Sequence, residues 1–338
     1  MIEAGAPRFC GACGVKFSRF WTRVQRLVVV LMLGMAGSAQ AAYPDKPVRL
    51  VLPLAPGGAM DVLGRGLAER LGALWKVPVI VENRAGAGGN IAADQVARAA
   101  PDGYTLLLTG DMLVANQTLF QGTINYDPIK SFAPISIVAA TPPVIVVRAD
   151  SPIHDIAGLR QAASQQVVNI GTPGYGNSNH RALTRLQQQV PGTVQHVPYK
   201  GAGPAVVALL GGEIDAAIVA LPAVSSLIAN GQVRALAVLQ DNRSDTVPQV
   251  PTAAQVGLRM DGDTGWFGLL APAGTSPDVV NDVWRAVREA VTEPDFRARL
   301  LAIGFDPIAD QPRAFADRIA SDADKFPALL RESGVALQ

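Results

Sequence analysis

Cysteine occurs twice in the 338 residues, at Cys10 and Cys13, and nowhere after them. The pair spells CGAC, a half-motif with no second CxxC, so neither a zinc ribbon nor a disulfide framework follows from it. Histidine is almost as scarce: His154, His180 and His196 are the only three, and no two stand at i, i+4. That leaves no metal-ligand cluster and no metal or cofactor expected. Charged residues make up 17% of the chain and the net charge is +1, so no basic field marks a nucleic-acid partner. No phosphate-binding G-x-x-x-x-G-K-[ST] occurs. GAGGN at Gly86 to Asn90 does not complete a dinucleotide G-x-G-x-x-G, and GNSNH at Gly176 to His180 lacks the closing glycine of a nucleophile elbow.

Apolar residues are abundant, at 49%, which is ample core material for a globular chain of this length. The longest apolar stretch, Leu27 to Ala36, is too short to span a bilayer comfortably. It follows Arg23 and Arg26 and precedes AQA at Ala39 to Ala41, the three-part layout of a secretory signal peptide. Residues 1–42 are therefore expected to be a signal cleaved near Ala41 or Ala42, which makes the mature protein periplasmic. Loss of residues 1–41 removes five basic residues and one acidic, leaving 24 basic and 27 acidic, net −3. It also removes both cysteines, which suits export into an oxidising compartment.

From Tyr43 on, strand and helix signals alternate. Strands are expected at Val48–Leu52, Pro78–Val81, Tyr104–Leu108, Val167–Ile170, Thr193–Val197, Ile214–Val219, Val233–Leu239 and Trp266–Leu270. Leu63, Leu67, Leu71 and Leu74 repeat at helical spacing, as do Ala205, Leu209 and Leu210, and the chain after Pro277 reads as helices. Such alternation predicts an α/β fold with largely parallel sheets, and the length favours two lobes over one.

Four strand-to-helix junctions are rich in small residues: APGGAMD, TGDM, GTPGYGNSN and YKGAGPA. Glycine lets a ligand approach the backbone. Helix N-termini bear unpaired N–H groups and partial positive charge, so they hold anions without lysine or arginine. Four such junctions in a chain with no catalytic constellation favour a site that grips an anion by backbone amides. Asp61 sits in one of them, where it suits the helix dipole better than it suits an anion.

The stretches YPDKPVRLVLPLAPGGAMD, VIVENRAGAGGNIAADQVARAAPDGYTLLL, HVPYKGAGPAVVALLGGEIDAAI, GQVRALAV, VPTAAQVG and WFGLLAPAGTSPDVV, in this order, resemble the substrate-binding proteins of tripartite tricarboxylate transporters, the Bug family. The resemblance implies a type II periplasmic binding-protein fold, with two α/β lobes, two crossing strands and a ligand cleft between the lobes. Residues 43–140 and 265–338 are then one lobe and 141–264 the other. The ligands implied are small carboxylates, dicarboxylates, acidic amino acids or aromatic acids. Ala55, Pro56, Gly57 and Gly58 would supply amides to one carboxylate. Thr172 and Asn177 would reach in from the opposite loop, shaped by Gly174 and Gly176. His180 matches a family histidine, and Thr109, Gly110 and Asp111 form a third contributor. The chain departs from the family at Gly176-Asn177, where Gly-Ser is common, and at Ile218-Val219, where Phe-Asp is common. An apolar Val219 gives an ammonium no partner, so a plain organic acid is expected over aspartate or glutamate, with Asp111 the one group able to reverse that. The implied partners are the membrane permease subunits of a tripartite transporter, or a sensor, and the receptor is expected to be a monomer. The alternative is an exported enzyme acting on a small carboxylate on the same two-lobed frame.

Overall fold

The computed structural model describes residues 43–260 and 264–332, besides Met1 and Gly5; the signal-peptide expectation lies outside them. Near-continuous apolar runs make the strands, because both faces of each sheet are covered by helices. The first sheet contains β1 (Val48–Leu52), β2 (Val79–Asn83), β3 (Thr105–Gly110), β4 (Phe132–Thr141), β10 (Gly265–Pro272) and β11 (Asp306–Pro307), in the order β11-β4-β10-β3-β1-β2. The second contains β5 (Pro143–Arg148), β6 (Val168–Thr172), β7 (Val194–Pro198), β8 (Ala216–Ala220) and β9 (Val233–Val238), in the order β7-β6-β8-β5-β9. Only Pro142 separates β4 from β5, so the chain passes directly from one sheet to the other there, and it returns between β9 and β10.

Alternation along each strand divides its side chains between two cores. Leu50, Leu52, Leu106 and Leu108 pack beneath α1 (Ala59–Trp75), α8 (Pro277–Thr292) and α9 (Pro294–Ala302). Val51 and Leu107 point the other way, toward α2 (Asn90–Ala97), α3 (Met112–Leu119) and α10 (Pro312–Glu332). In the second sheet Ile145, Ile170 and Ile218 face α4 (Ile156–Gln165) and α5 (Ser178–Gln189). Val144, Val146 and Val219 face α6 (Ala202–Gly211) and α7 (Ser225–Ala229).

The sheets are mixed rather than largely parallel. β1 runs parallel to β2 and β3, and β6 to β7 and β8. However, β10 is antiparallel to both β3 and β4, and β5 to both β8 and β9. β5 and β10 are the strands on which the chain has just changed sheets, and the short β11 is antiparallel to β4 as well. The helical stripes are also shorter than their spacing implies: Leu63, Leu67 and Leu71 are fully buried, but Leu74 is 37% and Leu210 40% exposed.

Candidate functional site

Four helices point their N-termini into one chamber between the sheets. They are α1, α3, α5 and α6, and Ala59, Met112, Ser178 and Ala202, the first residue of each, line its wall. The first amides of a helix have no acceptor within it, so each helix end aims N–H groups and the positive end of its dipole at this space.

The α1 end is built without a side-chain cap. Gly57 takes φ +87°, which L side chains resist, and Gly58 is the extended N-cap at φ −94°. Asp61 reaches back to accept from the Gly57 amide at 3.1 Å and from Arg65 Nε at 3.0 Å and Asn83 Nδ2 at 3.1 Å. Burial pushes the Asp61 carboxyl up, but the bonds from Arg65, Gly57 and Asn83 together outweigh it and hold the group below the usual carboxylate range. The carboxylate is thus ionised and already paired.

At the α5 end, Asn177 is the N-cap. Its Oδ1 accepts from the His180 amide at 3.1 Å and its Nδ2 donates to the Gly174 carbonyl at 3.2 Å. Behind it, Arg181 of α5 meets Asp111, at the end of β3, at 2.6 Å, with both side chains no more than 5% exposed. Arg181 also donates to the Gly176 carbonyl at 2.9 Å and lies 4.4 Å over the Phe326 ring. This pair joins the two sheets across the floor of the chamber. At the rim, the Ala55 amide donates to the Lys200 carbonyl at 2.8 Å, again across the sheets.

A second, more open chamber adjoins the first through Leu54, Met112 and Pro173. Its wall carries Lys200, Tyr175, Tyr199 and Phe120 together with the turn at Gly86 to Gly89. Sequence reasoning missed the aromatic and lysine part of this wall, for which no motif gave a signal.

The expected site residues divide between wall and support. Ala55, Gly58, Gly110, Asp111 and Asn177 line the inner chamber, and Gly174 the outer one. Pro56, Gly57, Thr109, Thr172, Gly176, His180 and Val219 line neither. Three of these are buried and bonded or packed within the protein. Thr172 is fully buried, its hydroxyl bonded to the Gly174 carbonyl at 3.0 Å and to His196 Nε2 at 2.7 Å. The His180 ring accepts from the Gly176 amide at Nδ1 and stacks on His196 at 4.6 Å; no hydrogen bond joins it to Ser178 among the described residues. Val219 packs into the core under α6, and the wall is formed by its neighbour Ala220. Residues that sequence reasoning passed over complete the wall, among them Thr141, Asn179, Trp266 and Phe267. Thr141 and Trp266 stand at the ends of the crossing strands β4 and β10, so their place depends on a topology that sequence patterning does not show.

Two α/β sheets crossed twice by the chain, with an amide-lined cleft between them, define the class of periplasmic binding proteins. Within it, the sequence model described as "Tripartite tricarboxylate transporter family receptor" matches residues 60–335, and the chain belongs to that family. Protein BugT of Bordetella pertussis is 34% identical over 322 residues, which cover 93% of this chain and 99% of BugT. The solved structure of R. palustris Rpa4515 with adipate superposes with a TM-score of 0.83 at 28% identity, covering 87% of this chain and 99% of that one. MatC (Rpa3494) from Rhodopseudomonas palustris with bound malate gives 0.79 at 28% identity, over 85% and 100%. The chain is a periplasmic solute-binding protein of the Bug type. No helix among its described residues is long and apolar enough to cross a membrane.

Proposed function

We propose that this receptor captures a small organic carboxylate, a dicarboxylate or an aromatic acid, and presents it to the permease subunits of a tripartite transporter. The observation that carries the reading is the convergence of four helix N-termini on a chamber whose two carboxylates, Asp61 and Asp111, are already bonded to Arg65 and Arg181. Such a space offers amides and positive dipole ends to an anion while its own negative charges are neutralised. An ammonium group would meet repelling dipoles and find no free carboxylate among those two. The outer chamber, with Lys200 and three aromatic rings, has the chemistry for a second carboxylate or a ring. The relatives solved with adipate and malate are consistent with this class of ligand.

In this reading residues 43–140 with 265–338 form one lobe and 141–264 the other, and capture is closure of the lobes over the ligand. The signal peptide is removed near Ala41 or Ala42 and the mature protein acts as a monomer. Native mass spectrometry of the purified protein, followed by a thermal-shift screen, tests the proposal. Succinate, adipate or benzoate-type acids are expected to stabilise it. Stabilisation by glutamate or aspartate, with none by those acids, would overturn it.

A further inference from the structure

Val79 and Val81 of β2 pack against the core beneath α1, and alternation puts Asn83, the last residue of the strand, on the same face. The place that an apolar stripe would give to a third valine is thus held by an amide. Its Nδ2 donates to the Leu54 carbonyl at 3.0 Å and to Asp61 Oδ1 at 3.1 Å, and its Oδ1 accepts from Arg65 at 3.2 Å. Only this orientation satisfies all three groups, because the reverse would set an amide oxygen against a carbonyl and a carboxylate. Asp61 extends the hold, since its Oδ2 accepts from the Gly57 amide at 3.1 Å. Asn83 therefore holds the APGGAMD loop from both sides, just before it at Leu54 and at its end at Asp61, yet Asn83 lines neither chamber.

We propose that Asn83 is a positioning residue for ligand capture, holding the loop in the form whose amides receive the ligand's carboxylate. This rests on the carboxylate reading above. Glycine has the greatest backbone freedom of any residue, and ordering Gly57 and Gly58 at the moment of binding would cost affinity. The clamp orders them beforehand. It turns the Gly57 N–H onto Asp61 and leaves Gly58, Ala59 and Met60 to form the wall of the inner chamber. Arg65 does not achieve this by itself. It bonds Asp61 from the same helix, at 3.0 and 2.9 Å, and so ties the carboxylate to α1 but not the loop to the sheet. Asn83 supplies that second tie, because it stands on the sheet, in register with Leu52 at the end of the strand from which the loop departs. Asn83 is half-buried, so water can replace its bonds and the fold does not depend on them.

Calorimetry tests this with whichever of succinate, adipate and benzoate most stabilises the unmodified protein. Asn83→Leu keeps the size of the side chain and extends the apolar stripe of β2, but removes every bond of the clamp. It should weaken binding of that acid at least about 10-fold. The melting temperature of the unliganded protein should fall by no more than about 4 °C, the shift expected of a lost half-exposed hydrogen bond. Asn83→Ala is a second variant and should give the same loss of affinity. Because the hold runs through Asp61, Asn83→Leu made in an Asp61→Ala background should change affinity by less than about 3-fold. In amide NMR spectra of the unliganded protein the Gly57 resonance should also move in Asn83→Leu, although the bond of that amide is to Asp61 and not to Asn83. Unchanged affinity in the folded variants, an equal loss in the Asp61→Ala background, or an unmoved Gly57 resonance would overturn the inference and leave the carboxylate reading standing. If none of the three acids binds the unmodified protein, the carboxylate reading falls and takes this inference with it.

Discussion

His180 and His196 lie face to face, ring centroids 4.6 Å apart and planes 21° from parallel, with Tyr175 edge-on to both at 5.3 and 5.2 Å. Burial, the neighbouring His196 and Arg181 together bring the His180 imidazole down to about 3. Burial brings His196 down to about 4. Both rings are therefore neutral supports of the GTPGYGNSN loop rather than proton carriers. In the unfolded chain each titrates near 6.5. Between that value and the folded one the unfolded state binds more protons, so the stability due to neutral burial is complete above about pH 6.5 and drains as the pH falls. For His180, 1.5 pH units of this window amount to roughly 2 kcal/mol. Thermal unfolding should therefore move to lower temperature between pH 6.5 and 5, above the range in which ordinary carboxylates titrate. His180→Asn places an oxygen where Nδ1 now accepts from the Gly176 amide and removes the titration. Its melting temperature should fall less over the same interval. An acid limb as steep as in the unmodified protein would contradict the assignment.

The elements show which features a sequence can reveal. β8 is an unbroken apolar run and β1, β3, β6 and β9 are mostly apolar, legible because most of their side chains are buried on both faces. Of the strands at the crossings, β10 was legible as Trp266–Leu270, but β4 and β5 were not. FAPISIVAAT and PVIVVR are interrupted or preceded by Pro134, Pro142 and Pro143, which read as turn residues. The fold accommodates Pro134 at a register shift, where Leu269 pairs with Ser136 and Leu270 with Pro134, so the missing N–H falls at an irregularity of the ladder. The site divided along the same line. Its glycine loops could be read because backbone groups make them. Which side chain of IVA faced the cleft could not, since one residue reverses the face and puts Ala220 rather than Val219 on the wall. The Asp111–Arg181 contact joins residues 70 apart and left no local trace. It now supports a prediction about the elements it links, the end of β3 and α5. Removing one member of a buried ion pair costs on the order of 3–5 kcal/mol. Asp111→Asn and Arg181→Met should therefore each destabilise the protein, and the double variant should lose less than the sum, with a coupling above about 1 kcal/mol. Additive losses in denaturant unfolding would show that the two ends do not depend on each other.

At the scale of the whole molecule, glycines stand at several of the places where the parts built on the two sheets approach each other. A Cβ on Gly265 would strike the Ser178 hydroxyl, and one on Gly176 would press within 3.1 Å of Ala115, Asn116 and Leu119. A Cβ on Gly203 would run into the Pro56 carbonyl oxygen, which belongs to the opposite loop. Gly203 is the most informative of these. It lies in the first turn of α6 without a positive φ, so alanine fits its own helix and favours it by up to about 1 kcal/mol. The only thing it obstructs is the approach of the APGGAMD loop. If capture is the proposed closure of the lobes, this one substitution separates it from folding. Gly203→Ala should keep or raise the melting temperature of the unliganded protein. It should also weaken binding of a stabilising carboxylate by at least about 10-fold, equivalent to 1.4 kcal/mol. Small-angle scattering with that acid in excess should show the variant remaining more extended than the unmodified protein under the same conditions. Unchanged affinity in a folded variant would mean that the Pro56–Gly203 approach is not part of ligand capture, and that the proposed lobes need not draw together at this edge to hold their acid.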